Sequence, residues 1–498
     1  MGIIQRQGIK FTIVSYLGVL IGTASMLFVY PLNLEAYGLA QFLLSSAALL
    51  APFAILGVNI LPIKFRPYFV EDKKGLYGFF TLLLITTLFI SIAFVVLFFG
   101  AKSWVLQYLS LLGSKDIDQI QSYFVYLLPF TLFTAWNTIL INYSISFERI
   151  VVPNILHNVL PKITLPIFVL MTVYVGINYQ QFILLLIASQ ILIFIGLIYY
   201  IHQQGQLFIR KIEWSKITPH TREMRNYALF GMVGGIGGIL AFRIDTIMIP
   251  TLLDFSSNGA YALGVFMANA IAIPTNSLLR IASPVISSAF KREDYSNIQQ
   301  IYRDSSLNLF WIGVLMYLLV LSSIHDLIQW MPTQNDLSIL GSIAGILGAA
   351  KLFDMITSTN TEIISYSKFY RFNAFMIVLL GALNVLLNYY FIITLKLGLI
   401  GAALATATSL FIFNLAKGIF IWIRFRMHPF SSTLLKILPV GIAIYLIATW
   451  IDVNNPLLNV VFRSGFIGIV YIWLMYKLDV SSHWNKIIDR ALALLPFK

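Results

Sequence analysis

The chain has 498 residues, 59% of them hydrophobic and only 11% charged, with a mean hydropathy of +0.85. A soluble domain carries about a quarter charged residues, so this composition specifies a polytopic membrane protein, and the net charge of +13 belongs to loops on one side rather than to a nucleic-acid surface. There is no cysteine, which excludes disulfides, thiol nucleophiles and thiolate metal sites.

Apolar runs of about 20 residues, the length that crosses a hydrocarbon core, recur along the whole chain. They lie near 9–31, 38–62, 78–100, 121–144, 152–175, 180–201, 226–252, 258–286, 305–328, 337–364, 372–394, 398–423, 434–451 and 457–477. The expected fold class is an all-α polytopic membrane protein of fourteen transmembrane helices. The first run is too long for the apolar region of a signal peptide and has no small-residue cleavage site, so it is expected to stay as a span. Loops are short, and no appended soluble domain is expected. With the N-terminus inside, 24 of the 33 Lys and Arg fall in inner loops and tails, against Lys102, Lys115 and Lys396 in outer ones. Such a bias sets orientation and puts both termini in the cytoplasm. The remaining six, Lys162, Arg243, Arg280, Lys351, Lys417 and Arg463, lie within or at the edges of spans.

The chain repeats itself at an offset of 222 residues, which relates Pro52 to Pro274, Pro62 to Pro284 and Gly176 to Gly398. Ala36-Tyr37-Gly38-Leu39 echoes Ala260-Tyr261-Ala262-Leu263 with two residues of slippage. Two six-helix lobes follow, 1–201 and 226–424, joined by a cytoplasmic linker at 202–225; residues 425–498 add two C-terminal spans and a cytoplasmic tail. Each half has an even number of spans, so the repeats run parallel about a pseudo-twofold axis along the membrane normal.

Ionisable groups inside spans point to function unless they are paired. Span 5 carries Asn154, Asn158 and Lys162 at i, i+4 and i+8, with His157 adjacent and Pro161 and Pro166 as breaks. Lys162 at mid-depth needs a counter-charge, water or an anionic ligand; His157 reads equally as a hydrogen-bonded structural residue. In span 7 five glycines precede Ala241-Phe242-Arg243-Ile244-Asp245. Arg243 is about eight residues, roughly 12 Å, from the outer end, too deep to snorkel inward with ease. Asp245, two residues on, points to a different face of a continuous helix. Span 8 places Asn269, Asn276 and Arg280 on one stripe, beside a kink expected at Pro274; Arg280 is near enough to the cytoplasmic end to snorkel. Span 10 aligns Lys351, Asp354, Ser358, Glu362 and Ser365, a stripe that must face protein or water, although Lys351 and Asp354 can simply pair. Arg243 and Lys162 are expected to face the space between the lobes.

No phosphate-cradling GxxxxGK[ST], metal-spaced His/Glu cluster or nucleophile elbow occurs. Neither an enzyme nor a cofactor is expected, and any coupling ion must be handled by Asp354, Glu362, Asp245 or His157. Asp354 is the favoured one, because Lys351 beside it could exchange its carboxylate partner for a substrate phosphate.

The N-terminal MGIIQRQGIKFTIVSYLGVLIGTASMLFVYP and the following YGLAQFLLSSAALLAPFAILGV resemble bacterial polysaccharide biosynthesis flippases. So do RIDTIMIP, NGAYALGVFMANAIAIP and GLIGAALATATSLFIFNLAKG. These are O-antigen (Wzx-like) exporters of the multidrug/oligosaccharidyl-lipid/polysaccharide (MOP) superfamily, and the resemblance runs over essentially the whole chain. It implies two lobes rocking around a central cavity in the bacterial inner membrane, and undecaprenyl-diphosphate oligosaccharide as substrate for O-antigen, capsule or exopolysaccharide synthesis. It also implies membrane lipids and polysaccharide polymerases as partners and a proton or sodium ion as coupling cation. Family cavity arginines meet diphosphate and sugar, and Arg243 and Arg280 match them, with Lys162, Lys351 and Asn276 completing the expected substrate set. Related cation-coupled drug exporters often carry an acid in the first span, where this chain has none. A drug or metabolite exporter of the same superfamily and a non-transporting scaffold of a polysaccharide assembly complex stay open as alternatives.

Overall fold

The computed structural model describes all residues except 1–2, 70–75, 112–115, 334–335, 482–483, 486–488 and 490–498; within described segments the side chains of 3–13, 76, 109–110, 117, 241–242, 276 and 280 are also outside the description. Among the described residues every regular element is helical. In chain order these are α1 (Ile3–Phe28), α2 (Leu34–Ile55), α3 (Leu61–Phe65), α4 (Phe79–Ser110), α5 (Ile117–Tyr123), α6 (Leu127–Ser146), α7 (Val151–Asn154), α8 (Leu160–Leu170), α9 (Tyr179–Gln203) and α10 (Trp214–Arg243). There follow α11 (Asp245–Leu252), α12 (Phe255–Ile271), α13 (Ile273–Lys291), α14 (Tyr295–Trp330), α15 (Ile339–Ile356), α16 (Asn360–Tyr366), α17 (Tyr370–Tyr389), α18 (Gly398–Phe425), α19 (Leu434–Ala448) and α20 (Pro456–Lys477).

Eleven helical stretches among the described residues are long and apolar enough to cross a bilayer, and thirteen when two bent pairs each count as one span. The thirteenth expected run, 434–451, yields only the 15-residue α19. The helices present apolar side chains outward as well as inward: α4 leaves Phe89 70%, Val96 68% and Leu97 70% exposed. A helix apolar all round is stable only inside protein or lipid, so these faces are bilayer faces.

The chain forms two compact units, Met1–Ala260 with Pro332–Gln334, and Tyr261–Met331 with Asn335–Lys498. In the first unit α2 starts on an N-cap, Asn33 Oδ1 accepting from the Ala36 amide at 3.0 Å. It runs through Pro52 and ends at Leu56 (φ 43°) and Gly57 (φ 73°), two left-handed residues in succession. Asn137 on α6 donates to the Gln190 side chain and carbonyl on α9, both at 3.1 Å. The α10–α11 pair, which the repeat places in the second half, packs on α2 in this unit. The start of α12 crosses α2 with no room for a Cβ on either side, at Gly38 and Gly259.

The second unit is built on the 36-residue α14, whose Leu309, Trp311, Val314 and Leu318 form one core with Met355 of α15, Ile437 and Ile444 of α19, and Ile467 and Tyr471 of α20. Tyr471 Oη donates to the Trp311 carbonyl at 2.9 Å. Buried Asp326 of α14 receives Arg463 Nη1 of α20 at 2.9 Å and Asn459 Nδ2 at 3.2 Å. Spans 13 and 14 are thus fastened to span 9.

Two of the positions related by the 222-residue offset have similar backbones. Span 5 ends in a π-helical turn, Met171–Val175, followed by Gly176 at φ 75°. Span 11 ends in the π-helical turn Tyr390–Thr394, with Gly398 at φ 54° as the first residue of α18. Both glycines sit where a side chain would strain the backbone.

Candidate functional site

Span 7 is not the continuous helix that its hydropathy implies. It breaks between α10 and α11, which are bent by 53°, and the RID motif marks the break. Arg243 is the last residue of α10 and Asp245 the first of α11. A cation suits the carbonyl end of one helix and an anion the amide end of the next, so the two charges are stabilised by helix ends instead of by opposite faces of one helix. Thr246 secures the junction, its hydroxyl donating to the Arg243 carbonyl at 2.7 Å and lying 2.7 Å from Ser45 Oγ of α2. Asp245 is buried, whereas the Arg243 side chain is exposed at membrane depth.

Span 5 supplies a second cation, Lys162, and an imidazole, His157. The backbone between α7 and α8 is a π-turn, Ile155–Val159, with Pro161 at the head of α8. Such turns concentrate at functional sites because they re-aim side chains. His157 lies in the turn and within electrostatic range of Arg243. Asn158 donates to Asn154 at 2.6 Å, and Asn154 to Ser15 Oγ of α1 at 3.3 Å. Lys162 runs alongside Gly18 of α1, where a Cβ would stand 3.7 Å from both its Cδ and Nζ. Among the described residues no acid forms an ion pair with Arg243, Lys162 or His157. The first unit therefore presents two nitrogen cations, Arg243 and Lys162, with imidazole, amide and hydroxyl groups beside them, to anionic chemistry.

Span 8 kinks as its proline demands: α12 and α13 are bent by 48°, with Pro274 in the first turn of α13. The bend separates Asn269 from Asn276 and Arg280, which therefore do not share one straight stripe. The side chains of Asn276 and Arg280 lie outside the described residues.

The stripe of span 10 is also divided. α15 ends at Ile356 and α16 begins at Asn360. In between, Thr357 Oγ1 lies 3.2 Å from the Phe353 carbonyl and 3.3 Å from that of Asp354. Hydroxyl side chains that bond the preceding turn compete with the helix ladder, and the Thr357-Ser358-Thr359 run breaks it. Lys351 and Asp354 stay on α15, both half-buried, while Glu362 is carried by α16. Asp354 Oδ1 accepts from Asn414 Nδ2 of α18 at 2.9 Å. On the same face of α18, one turn on, Lys417 is fully buried; its Nζ donates to Thr361 Oγ1 at 2.5 Å and lies 4.3 Å from the Phe413 ring centroid. Asp354 and Glu362 both act electrostatically on Lys417. Lys417, Asn414 and Thr361 were not among the expected site residues. The signal for them was present in the sequence: Asn414 and Lys417 stand at i and i+3 in an apolar run.

No family model matches the chain, and no curated protein matches it in sequence. Solved structures do match. The lipid II flippase MurJ in an inward closed conformation superposes with a TM-score of 0.66 at 16% identity over 95% of this chain and 100% of that one. An inward-facing multidrug resistance MATE family transporter of the MOP superfamily gives 0.63 at 14% identity, over 84% and 96%. A MOP superfamily transporter from Pyrococcus furiosus, described as having a binding pocket of reverse polarity, gives 0.52 at 14% identity, over 85% and 95%. The chain has the fold of MOP-type transporters. Its multi-span helical architecture is that of a membrane transporter fold, and the structures it resembles are those of transporters.

Proposed function

We propose that the protein is a flippase that moves undecaprenyl-diphosphate-linked oligosaccharide from the inner to the outer leaflet of the bacterial inner membrane by alternating access. The observation that carries this reading is the pair of deep cations in the first unit, Arg243 and Lys162, which no described acid neutralises. A diphosphate is the ligand such a set suits, since guanidinium and ammonium groups bind phosphate oxygens through charge-assisted bonds. His157, Asn158 and Asn154 add donors to the same face, and Arg280, Asn276 and Lys351 complete the substrate set. Both termini lie in the cytoplasm and all fourteen apolar segments are membrane-embedded. Polysaccharide polymerases would receive the product.

A multidrug exporter of the same fold is the second reading, favoured by the MATE-like architecture. Uncompensated cations would repel the cationic compounds such an exporter carries. A scaffold without transport activity would tolerate loss of the cations altogether. Expression in a flippase-deleted strain, with accumulation of lipid-linked repeat units as the readout, separates the three. R243A and K162A should each lower flipping by about 10- to 100-fold, the loss of one hydrogen bond to a charged group, with R243K partly active. Full complementation by R243A/K162A would overturn the proposal.

A further inference from the structure

The first unit carries a slot that the candidate site does not use, with a volume of about 240 Å³. One wall is α4 from Leu82 to Ile90, the other is α10 from Thr221 to Leu229, and Leu56 and Leu61 at the α2–α3 turn close the bottom. Each wall advances eight residues, about 12 Å at 1.5 Å per residue. The two helices begin side by side, where the Glu213 amide donates to the Tyr77 carbonyl at 3.0 Å. Leu56 holds a left-handed backbone (φ 43°) and stays 38% exposed. A bulky residue in that conformation is an outlier of the kind that gathers at ligand sites, and here it lines the slot.

The helices that form the slot also carry bilayer faces: α4 exposes Leu88 and Phe89, and α10 exposes Phe230 and Val233. Water would find few partners inside. Among the lining residues only Thr86, Thr221 and Arg225 have polar side chains, and the Thr221 hydroxyl already donates to the Thr218 carbonyl at 2.8 Å. The rest of the lining is aliphatic. Thr221 and Arg225 stand together at the start of the α10 wall. Arg225 is exposed and has no ion pair among the described residues. Its neighbour Glu223 is taken by Lys64 at 2.8 Å. An aliphatic slot with an unpaired guanidinium at one end matches a hydrocarbon chain that ends in an anion.

We propose that this slot is a lipid site that takes one acyl chain of an anionic phospholipid, with the lipid phosphate on the Arg225 guanidinium. The planar fork of N–H donors suits phosphate oxygens. No second cation lines the slot, so a single phosphate is matched better than a diphosphate. The bound chain touches α4, α10 and the α2–α3 turn at once. α10 already crosses that turn closely, leaving no room for a Cβ on Gly57 against the Ala228 carbonyl oxygen. The lipid therefore braces the helix that ends at Arg243, and a ligand that binds only the folded unit raises its stability. None of this depends on what the protein transports.

Native mass spectra of the full-length protein, titrated in detergent with dioleoyl phosphatidylglycerol or dioleoyl phosphatidylcholine, test the site without a transport assay. The first phosphatidylglycerol should bind about 10-fold more tightly than the first phosphatidylcholine, the worth of one charge-assisted hydrogen bond. R225Q should erase that preference and R225K should keep most of it. R222Q, one turn earlier on α10 and outside the slot, should leave it intact. T86W fills the slot and should weaken both lipids alike, while inorganic phosphate should not compete. Equal losses in R225Q and R222Q would reduce the preference to diffuse surface charge and overturn the proposal. Undiminished binding by T86W would put the chain elsewhere and overturn it too, as would displacement of phosphatidylglycerol by an equal concentration of undecaprenyl phosphate. Should T86W fail to fold, the arginine series still decides. Saturating phosphatidylglycerol should also raise the thermal unfolding midpoint of wild type more than that of R225Q, and equal rises would count against the site.

Discussion

Gly38 offers a sharp test of how tightly the first unit is closed. A Cβ there would stand 1.8 Å from the Phe255 carbonyl oxygen and 2.7 Å from the Gly259 nitrogen, where ordinary contact begins at 3.4 Å. The start of α12 would have to retreat by 3.4 − 1.8 = 1.6 Å, and it is backbone, not a side-chain end, that must move. The retreat also breaks the 2.7 Å bond from Asn258 Nδ2 to the Gly38 carbonyl, stranding a fully buried amide. Overpacking costs about 1–3 kcal/mol, and an unsatisfied buried polar group about 1–3 kcal/mol more. The gain in helix propensity offsets about 1 kcal/mol, so G38A should lose about 1–5 kcal/mol. Gly100 and Gly465 also lie inside helices but have nothing within 4 Å of a Cβ, so G100A and G465A should be neutral or slightly stabilising. Thermal unfolding in detergent, followed by tryptophan fluorescence, compares the three. A G38A midpoint equal to that of G100A would refute the close crossing.

Removing Arg463 should strand Asp326, which is 5% exposed and then keeps only Asn459; R463A should cost about 3–5 kcal/mol, and D326A/R463A less than the sum of the single variants in a double-mutant cycle. Thr246→Val removes the hydroxyl that secures the α10–α11 junction and should destabilise by about 1 kcal/mol, with T246S close to wild type in the same unfolding assay. On the surface of the first unit Glu223, 2.8 Å from Lys64, holds that ammonium above its ordinary range. A raised lysine value leaves the pair intact below the unfolded-state value of about 10.4 and lost only as the pH climbs through the folded one. The difference in unfolding midpoint between E223Q and wild type should therefore be flat from about pH 5 to pH 9, and added salt should erase it.

Hydropathy made most of the span positions legible because the bilayer imposes one requirement on every crossing helix. Pro274 announced its bend because a proline leaves a carbonyl without a donor wherever it sits. The break at Arg243–Asp245 was not legible: a cation and an anion two residues apart in an apolar run read as buried charges until the backbone shows them at two helix ends. The Thr357-Ser358-Thr359 interruption was written in hydroxyl residues whose competition with the helix ladder is weak enough to be ignored in a stripe count. Lys162 and His157 were found by position, but the Gly18 beside Lys162 and the π-turn around His157 come from packing between α1 and span 5. Lys417 was missed because a single lysine late in an apolar span looks like one that snorkels to the headgroups. Only the burial by α15, α16 and α18 shows that it does not.

The two C-terminal helices lie beyond the stretch that the 222-residue offset relates, yet the second unit depends on them. Trp311, Leu309 and Val314 of α14 are covered by α19 and α20, and Asp326 answers to a cation that only α20 supplies. A chain shortened before α19 would present bare tryptophan and leucine together with an unneutralised carboxylate. The hairpin therefore works as a keystone of the second unit: the side chains of α14 that it shelters fit only while it is in place, and its removal would cost apolar burial and charge compensation together.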